Sequence, residues 1–205
     1  MTPKGPSHVD LESADSARSR RQLLGALGAA GVAGAAALTL SRPASAAPST
    51  PTDADKAQLR PVMEIELAAR DLYLAAAAGL SEEAAVIADE FAANHAAYAD
   101  AIAGASGFSA NTRNDELFDE HAGDFSGGEA AFVAAAVELE NALSATHSEL
   151  FGGFESSEAR KLASSIAVVE ARMATILVEF GGDPSNLDAL LEPTAQPIDL
   201  EGSGA

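Results

Sequence analysis

The sequence predicts an all-α fold, a four-helix bundle of two helical hairpins joined by a long crossover. Three observations predict it. The 205 residues are rich in Ala and poor in aromatics, with no Trp and two Tyr, which suits helices better than sheets. Four segments of about 20–25 residues carry apolar side chains at helical spacing. Their connections are unequal, two short and one long.

In chain order the first element, 1–46, reads as an address. Its polar start ends in Ser19-Arg20-Arg21-Gln22-Leu23-Leu24, an uncharged Ala/Gly-rich stretch runs from Leu23 to Leu40, and Arg42 and Ala44-Ser45-Ala46 follow. A charged region, an apolar region and small residues before a cleavage point are the layout of a secretory signal. The paired arginines resemble the twin-arginine export signal, with Leu23 at its Phe position and Gly25 at its Lys position. The expectation is export to the cell envelope or beyond, with a mature chain starting at Ala47, or at Pro48 where cleavage uses Ser45 and Ala47. A retained membrane anchor over Leu23–Leu40 is the other reading.

Charge separates this segment from the rest. The chain holds 31 acidic and 12 basic residues, net −19. Residues 1–46 contain five basic and three acidic ones, leaving seven basic and 28 acidic for 47–205, near −21. Such a surface repels nucleic-acid phosphates and anionic lipid, so neither nucleic acid nor, after signal cleavage, a membrane is expected as a partner; metal cations are. The absence of Cys excludes disulfides, thiolate metal sites, iron–sulfur clusters, thiol catalysis and a lipid-modified cysteine.

Residues 47–53, rich in Pro, Ser, Thr and Asp, form an expected flexible linker. The bundle is expected over 54–183. Its first helix runs from about Ala54 to Ala78, with Pro61 at a first turn or a kink. The second begins at the Ser81 cap, with Glu82 and Glu83 at the positive end of the helix dipole, and ends near Gly104. The third begins after Ser126-Gly127-Gly128 and ends at Gly152-Gly153. The fourth begins near Ser156 or Ser157 and ends at Gly181-Gly182-Asp183-Pro184. Between the second and third lie about 23 residues, Ala105–Gly127, with one helical turn expected around Asp115–Glu120. A connection that long can run the length of the bundle, so that the third helix starts at the end where the second did. The tail, 184–205, carries Pro193, Pro197 and a Gly/Ser end and is expected to be extended or disordered.

The apolar stripes fix what faces inward. They are Leu59, Met63, Glu66, Tyr73 and Ala77 on the first helix, and Ala84, Ala88, Phe91, His95, Tyr98 and Ile102 on the second. The third has Val133, Ala136, Glu140, Leu143, His147 and Leu150. The fourth has Leu162, Ile166, Val169 or Glu170, Met173, Leu177 and Phe180. Each helix therefore presents an ionisable residue on or beside its core stripe. A lone buried carboxylate costs several kcal/mol unless paired or bound to a metal, so four such residues at mid-length are expected to meet.

Glu66 is followed seven residues on by Tyr73, and Glu140 by His147; the second helix has His95-Ala-Ala-Tyr98 and the fourth Glu170-Ala-Arg-Met173. In this the chain resembles the ferritin-like di-iron proteins, such as bacterioferritin and rubrerythrin, over about residues 54–181. That family takes one Glu from each of two helices and a Glu-x-x-His from each of the other two. Ala92 and Met173 stand at the two remaining ligand positions. The resemblance implies Fe or Mn in the core, with Glu66, His95, Glu140 and Glu170 as ligands and His147 as a substitute ligand. It places Tyr73 and Tyr98 as rings beside the cofactor, and it implies Fe(II) oxidation by O₂ or peroxide. Glu90 is rotated by about 140° from His95 and makes an awkward replacement.

Two other readings stand beside this one. A metal-free bundle could serve as a structural, stress-related or interaction protein of the cell envelope, and a helical module could bind a cationic partner. His121 is expected as a solvated loop residue. The chain has no EF-hand spacing, Gly-rich phosphate loop, Gly-x-Ser-x-Gly or His-Glu-x-x-His motif.

Overall fold

Caps written into the sequence set most helix starts. In the computed structural model, which describes residues 47–182, 185 and 195–200, α1 spans Asp53–Ala77, α2 Glu82–Ser106, α3 Asp115–Phe125, α4 Glu129–Gly153 and α5 Ser157–Phe180. The expected signal, 1–46, and most of 184–205 lie outside the described residues. Among the described residues there is no strand. Thr52 and Asp55 form a capping box at α1, and Ser81, Asn114 and Ser156 accept N–H bonds at the starts of α2, α3 and α5. α4 has no side-chain cap; Gly128 enters it at φ +94°, a conformation that favours glycine. α2 runs past the expected stop at Gly104, because its left-handed cap falls at Gly107, φ +79°.

Three hydrogen bonds orient the hairpins. The Ser81 N–H donates to Glu129 Oε2 at 3.2 Å, so α2 and α4 start at the same end. At the other end Asp55 Oδ1 and Oδ2 accept the N–H groups of Glu155 (2.6 Å) and Ser156 (3.0 Å), so the start of α1 meets the turn between α4 and α5. α1 is thus antiparallel to α4. α1 packs extensively on α2 and α4 on α5, as two hairpins joined by a crossover. This arrangement is compatible with a ferritin-like bundle.

Two expected segments differ, and the tail has a place on the bundle. The crossover holds an 11-residue helix, α3, rather than one turn. Asn114 caps it, Leu117 and Phe125 bury themselves against the bundle, and α3 packs on α1 and α4. Each buried apolar side chain contributes about 1.5–3 kcal/mol, which the acidic residues on the outer face of α3 do not oppose. The expected flexible linker is tied down: the carbonyls of Pro48 and Ser49 accept the N–H groups of Ser157 (2.9 Å) and Glu158 (3.2 Å). These donors have no partner inside α5. In the tail, Ala195–Leu200 has no regular structure but lies on the bundle. The Ile198 N–H donates to Thr146 Oγ1 at 2.8 Å, and Ile198 and Leu200 pack against core side chains.

The apolar core forms two clusters. One gathers Ile65, Leu72, Tyr73, Phe91, Phe125, Phe132 and Leu139, the other Leu59, Met63, Ile102, Phe154 and Ile166. On α1, α2 and α5 the ionisable residue falls in sequence between members of the two clusters.

Candidate metal centre

Helical spacing brings the ionisable residues together at mid-length. Glu66 from α1, His95 from α2, Glu140 from α4 and Glu170 from α5 are 0% exposed, and His147 from α4 is 1% exposed. The two seven-residue spacings interlock because α1 and α4 are antiparallel. Glu66 stands opposite His147, with His147 Nε2 2.7 Å from Glu66 Oε1; Tyr73 stands opposite Glu140, its hydroxyl donating to Oε1 at 2.5 Å. His95 joins the two pairs. Its Nδ1 lies 2.8 Å from Glu66 Oε2 and its Nε2 3.0 Å from Glu140 Oε1. The carboxylate of Glu170 approaches His147 Nε2 at 3.5 Å.

Protonation follows from these contacts. Burial would push the Glu66 carboxyl up, but hydrogen bonds from His147 and His95 outweigh it and hold the group at about 2. An ionised Glu66 can only accept, so both histidine nitrogens facing it carry hydrogen. Burial would lower His95, but the charge and hydrogen bond of Glu140, together with those of Glu66, lift it to about 10. Glu170 goes the other way: burial, then the charges of Glu66 and Glu140, push its carboxyl well above the usual range. Burial and the neighbouring Glu140 likewise raise the Tyr73 phenol, so it stays a donor.

Three buried oxygens have no hydrogen-bond partner: Glu140 Oε2 and both oxygens of Glu170. Buried polar atoms are seldom left so, and each such case points to strain, a site or a missing ligand. Glu66, His95 and Glu170 each offer a ligand atom within 4.8 Å of the others. This buried His/Glu cluster can hold a metal ion.

The surroundings are asymmetric. Tyr73 stacks on His95 with centroids 5.5 Å apart, and Phe91, Phe125 and Phe132 meet its ring edge-on. Ala92 and Met173 belong to the same apolar cluster. Tyr98 is half-buried and presents its ring edge-on to His95 at 5.9 Å. Burial, then the charge of Glu170, pushes its phenol up.

No family model, curated protein or solved structure matches the chain.

The structure thus brings together Glu66, His95, Glu140, His147 and Glu170, with Tyr73 bonded to the cluster and Tyr98 at its edge. Glu90 is exposed. His121 is not in a loop: α3 extends through it, and it lines a surface cavity of about 320 Å³ with Asn114, Glu116, Glu120 and Asp199. Asp55, fully buried, is the ionisable residue that the apolar stripes did not single out; its capping-box spacing after Thr52 is the signal that marks it. Among the described residues no helix is long and apolar enough to cross a membrane.

Proposed function

We propose that this protein is an exported ferritin-like bundle that binds a transition metal, Fe or Mn, within the cluster of Glu66, His95, Glu140, His147 and Glu170. Glu170 carries the reading: both of its oxygens are buried and accept no hydrogen bond, and its raised carboxyl holds a proton against Glu66 among two histidines and two further carboxylates. Nothing in an apolar packing role requires that arrangement, and a cation removes its cost. The donors are oxygen and imidazole nitrogen with no thiolate, a set suited to Fe or Mn. Loaded with Fe(II), the site would supply an electron to O₂ or peroxide, the oxidation that the ferritin-like resemblance implies. The chain's own residues orient the donors, exclude bulk water and, through Tyr73, hold a proton at Glu140 Oε1.

The test is metal analysis of protein folded with Fe(II) or Mn(II) and then desalted, paired with melting curves. Retained metal and a raised Tm are expected; at free metal 100 times Kd the gain is about 2.7 kcal/mol. A metal-free bundle is the second reading, favoured by the four hydrogen bonds that Glu66 and Glu140 already accept. It wins if no metal survives desalting and the melting curves coincide.

Export through the twin-arginine route belongs to the same reading and rests on Ser19-Arg20-Arg21-Gln22-Leu23-Leu24 and the apolar stretch after it. Changing Arg20 and Arg21 to Lys should leave the protein cytoplasmic and uncleaved. Normal secretion of that double variant overturns the export proposal.

A further inference from the structure

We propose that the cluster takes one ion, not two, held by Glu66, His95, His147 and Glu170, and that Glu140 stays outside the ligand set as a positioning residue. This rests on the metal-binding reading above and specifies its stoichiometry and ligands. The two halves of the cluster are unequal. On one side ligand-type side chains converge: Glu170 has two oxygens that accept no hydrogen bond, His147 Nε2 lies 3.5 Å from one of them, and Glu66 and His95, hydrogen-bonded to each other, each bring a ligand atom within 4.8 Å of Glu170. On the other side Glu140 has a single such oxygen, Oε2, and its Oε1 already accepts from both Tyr73 and His95 Nε2. Around Tyr73 stand Phe91, Phe125 and Phe132, which offer no oxygen or nitrogen to a second ion.

His95 divides the two roles. Its Nδ1 faces Glu66, in the half that holds His147 and Glu170, and its Nε2 faces Glu140. A ring that ligates through Nδ1 keeps its Nε2–H for Glu140, and a carboxylate accepting from the far nitrogen of a ligand histidine fixes that ring's tautomer and orientation. Tyr73 holds Glu140 in turn, through its hydrogen bond and its stacking on the His95 ring.

The experiment is equilibrium dialysis of the folded protein against Mn(II), with metal counted per chain and the loaded sample read by electron paramagnetic resonance. One ion per chain with the hyperfine pattern of an isolated Mn(II) is expected. Two ions, or the broadened signal of a coupled pair, overturn this inference and leave the metal-binding reading standing; no ion overturns both. Glu170→Gln should lose the ion. Glu140→Gln should keep it with affinity weakened about 10- to 100-fold. Glu140→Ala should bind more weakly than Glu140→Gln, because the amide oxygen of Gln still accepts from His95. Equal loss of the ion in Glu140→Gln and Glu170→Gln makes Glu140 a ligand and overturns its assignment. Tyr73→Phe removes a donor from Glu140 and no ligand, so its stoichiometry should remain one; a lower value overturns the division of roles.

Discussion

Asp55 and Glu170 are both shut away from solvent, at the end and the middle of the same bundle, and their carboxyls meet opposite surroundings. Asp55 accepts three backbone N–H groups, from Thr52, Glu155 and Ser156. Burial would raise its pKa, but those hydrogen bonds win and lower it. Glu170 accepts none, and burial with two neighbouring negative charges raises it. Burial alone does not say what a carboxylate is for. Where the acceptors are filled by backbone, the group holds elements together; where they are empty and other ligand types converge, it can take a cation.

The largest effect that would break this contrast is on stability. Asp55→Ala leaves three N–H groups without their acceptor, at about 1–3 kcal/mol each, so a loss of about 3 kcal/mol or more is expected in urea unfolding. Glu170→Gln, in metal-free protein, should be close to neutral, since burial and the neighbouring charges already keep that carboxyl protonated and the amide replaces one uncharged group by another. An Asp55→Ala variant as stable as the wild type would remove the structural half of the comparison.

The effect of pH should be of intermediate size and sharpens the other half. Glu170 is raised in the folded state, so its favourable contribution is complete below about 4.3, its unfolded value, and is lost as pH rises through its folded value. His95 is raised to about 10, so its contribution is complete below about 6.5 and is lost as pH climbs through about 10. Asp55 is lowered and acts only in acid: its contribution is present above about 3.9 and is lost as pH falls through its depressed value. Metal-free protein should therefore lose stability between neutral pH and about 10, followed by melting temperature. Above about 4.3, where Glu170 makes the metal-free form lose stability as pH rises, protein loaded with Mn(II) should gain it, since ligands must shed protons to bind. Parallel trends in the two forms would contradict a cation site.

The smallest effect concerns the tail. Thr146→Val keeps the shape of a buried side chain but removes the acceptor of the Ile198 N–H, at about 1 kcal/mol. The shift in urea midpoint should shrink in a chain truncated after Thr194, which no longer has Ile198, to what the lost bond from the Thr146 hydroxyl to the Ala142 carbonyl costs.

Much of the bundle is legible because helices write their burial every three or four residues. Glu66, His95, Glu140 and Glu170 interrupt apolar stripes, and that interruption is visible without coordinates. The partnership of Glu66 with His147 was half visible: two seven-residue spacings, Glu66–Tyr73 and Glu140–His147, fit one another only once α1 and α4 are known to be antiparallel. A distance measured along α4 alone puts His147 two turns from Glu140 and hides its contact with Glu66. α3 was underestimated because only Leu117 and Phe125 of its residues are buried, too few to mark a period. Asp55 and Ile198 were not legible as contacts. Their partners lie 100 and 52 positions away, and no local pattern encodes such a pairing.

The tail also sets an order in time. Ile198 and Leu200 cover apolar side chains of the bundle, yet they come from the last described stretch of the chain. During synthesis the helices that carry Glu66, His95, Glu140, His147 and Glu170 are all complete before this cover exists. A nascent chain therefore passes through a stage in which every cluster residue has been made and one face of the bundle is still bare, and a truncation that removes Ile198 and Leu200 makes that stage permanent.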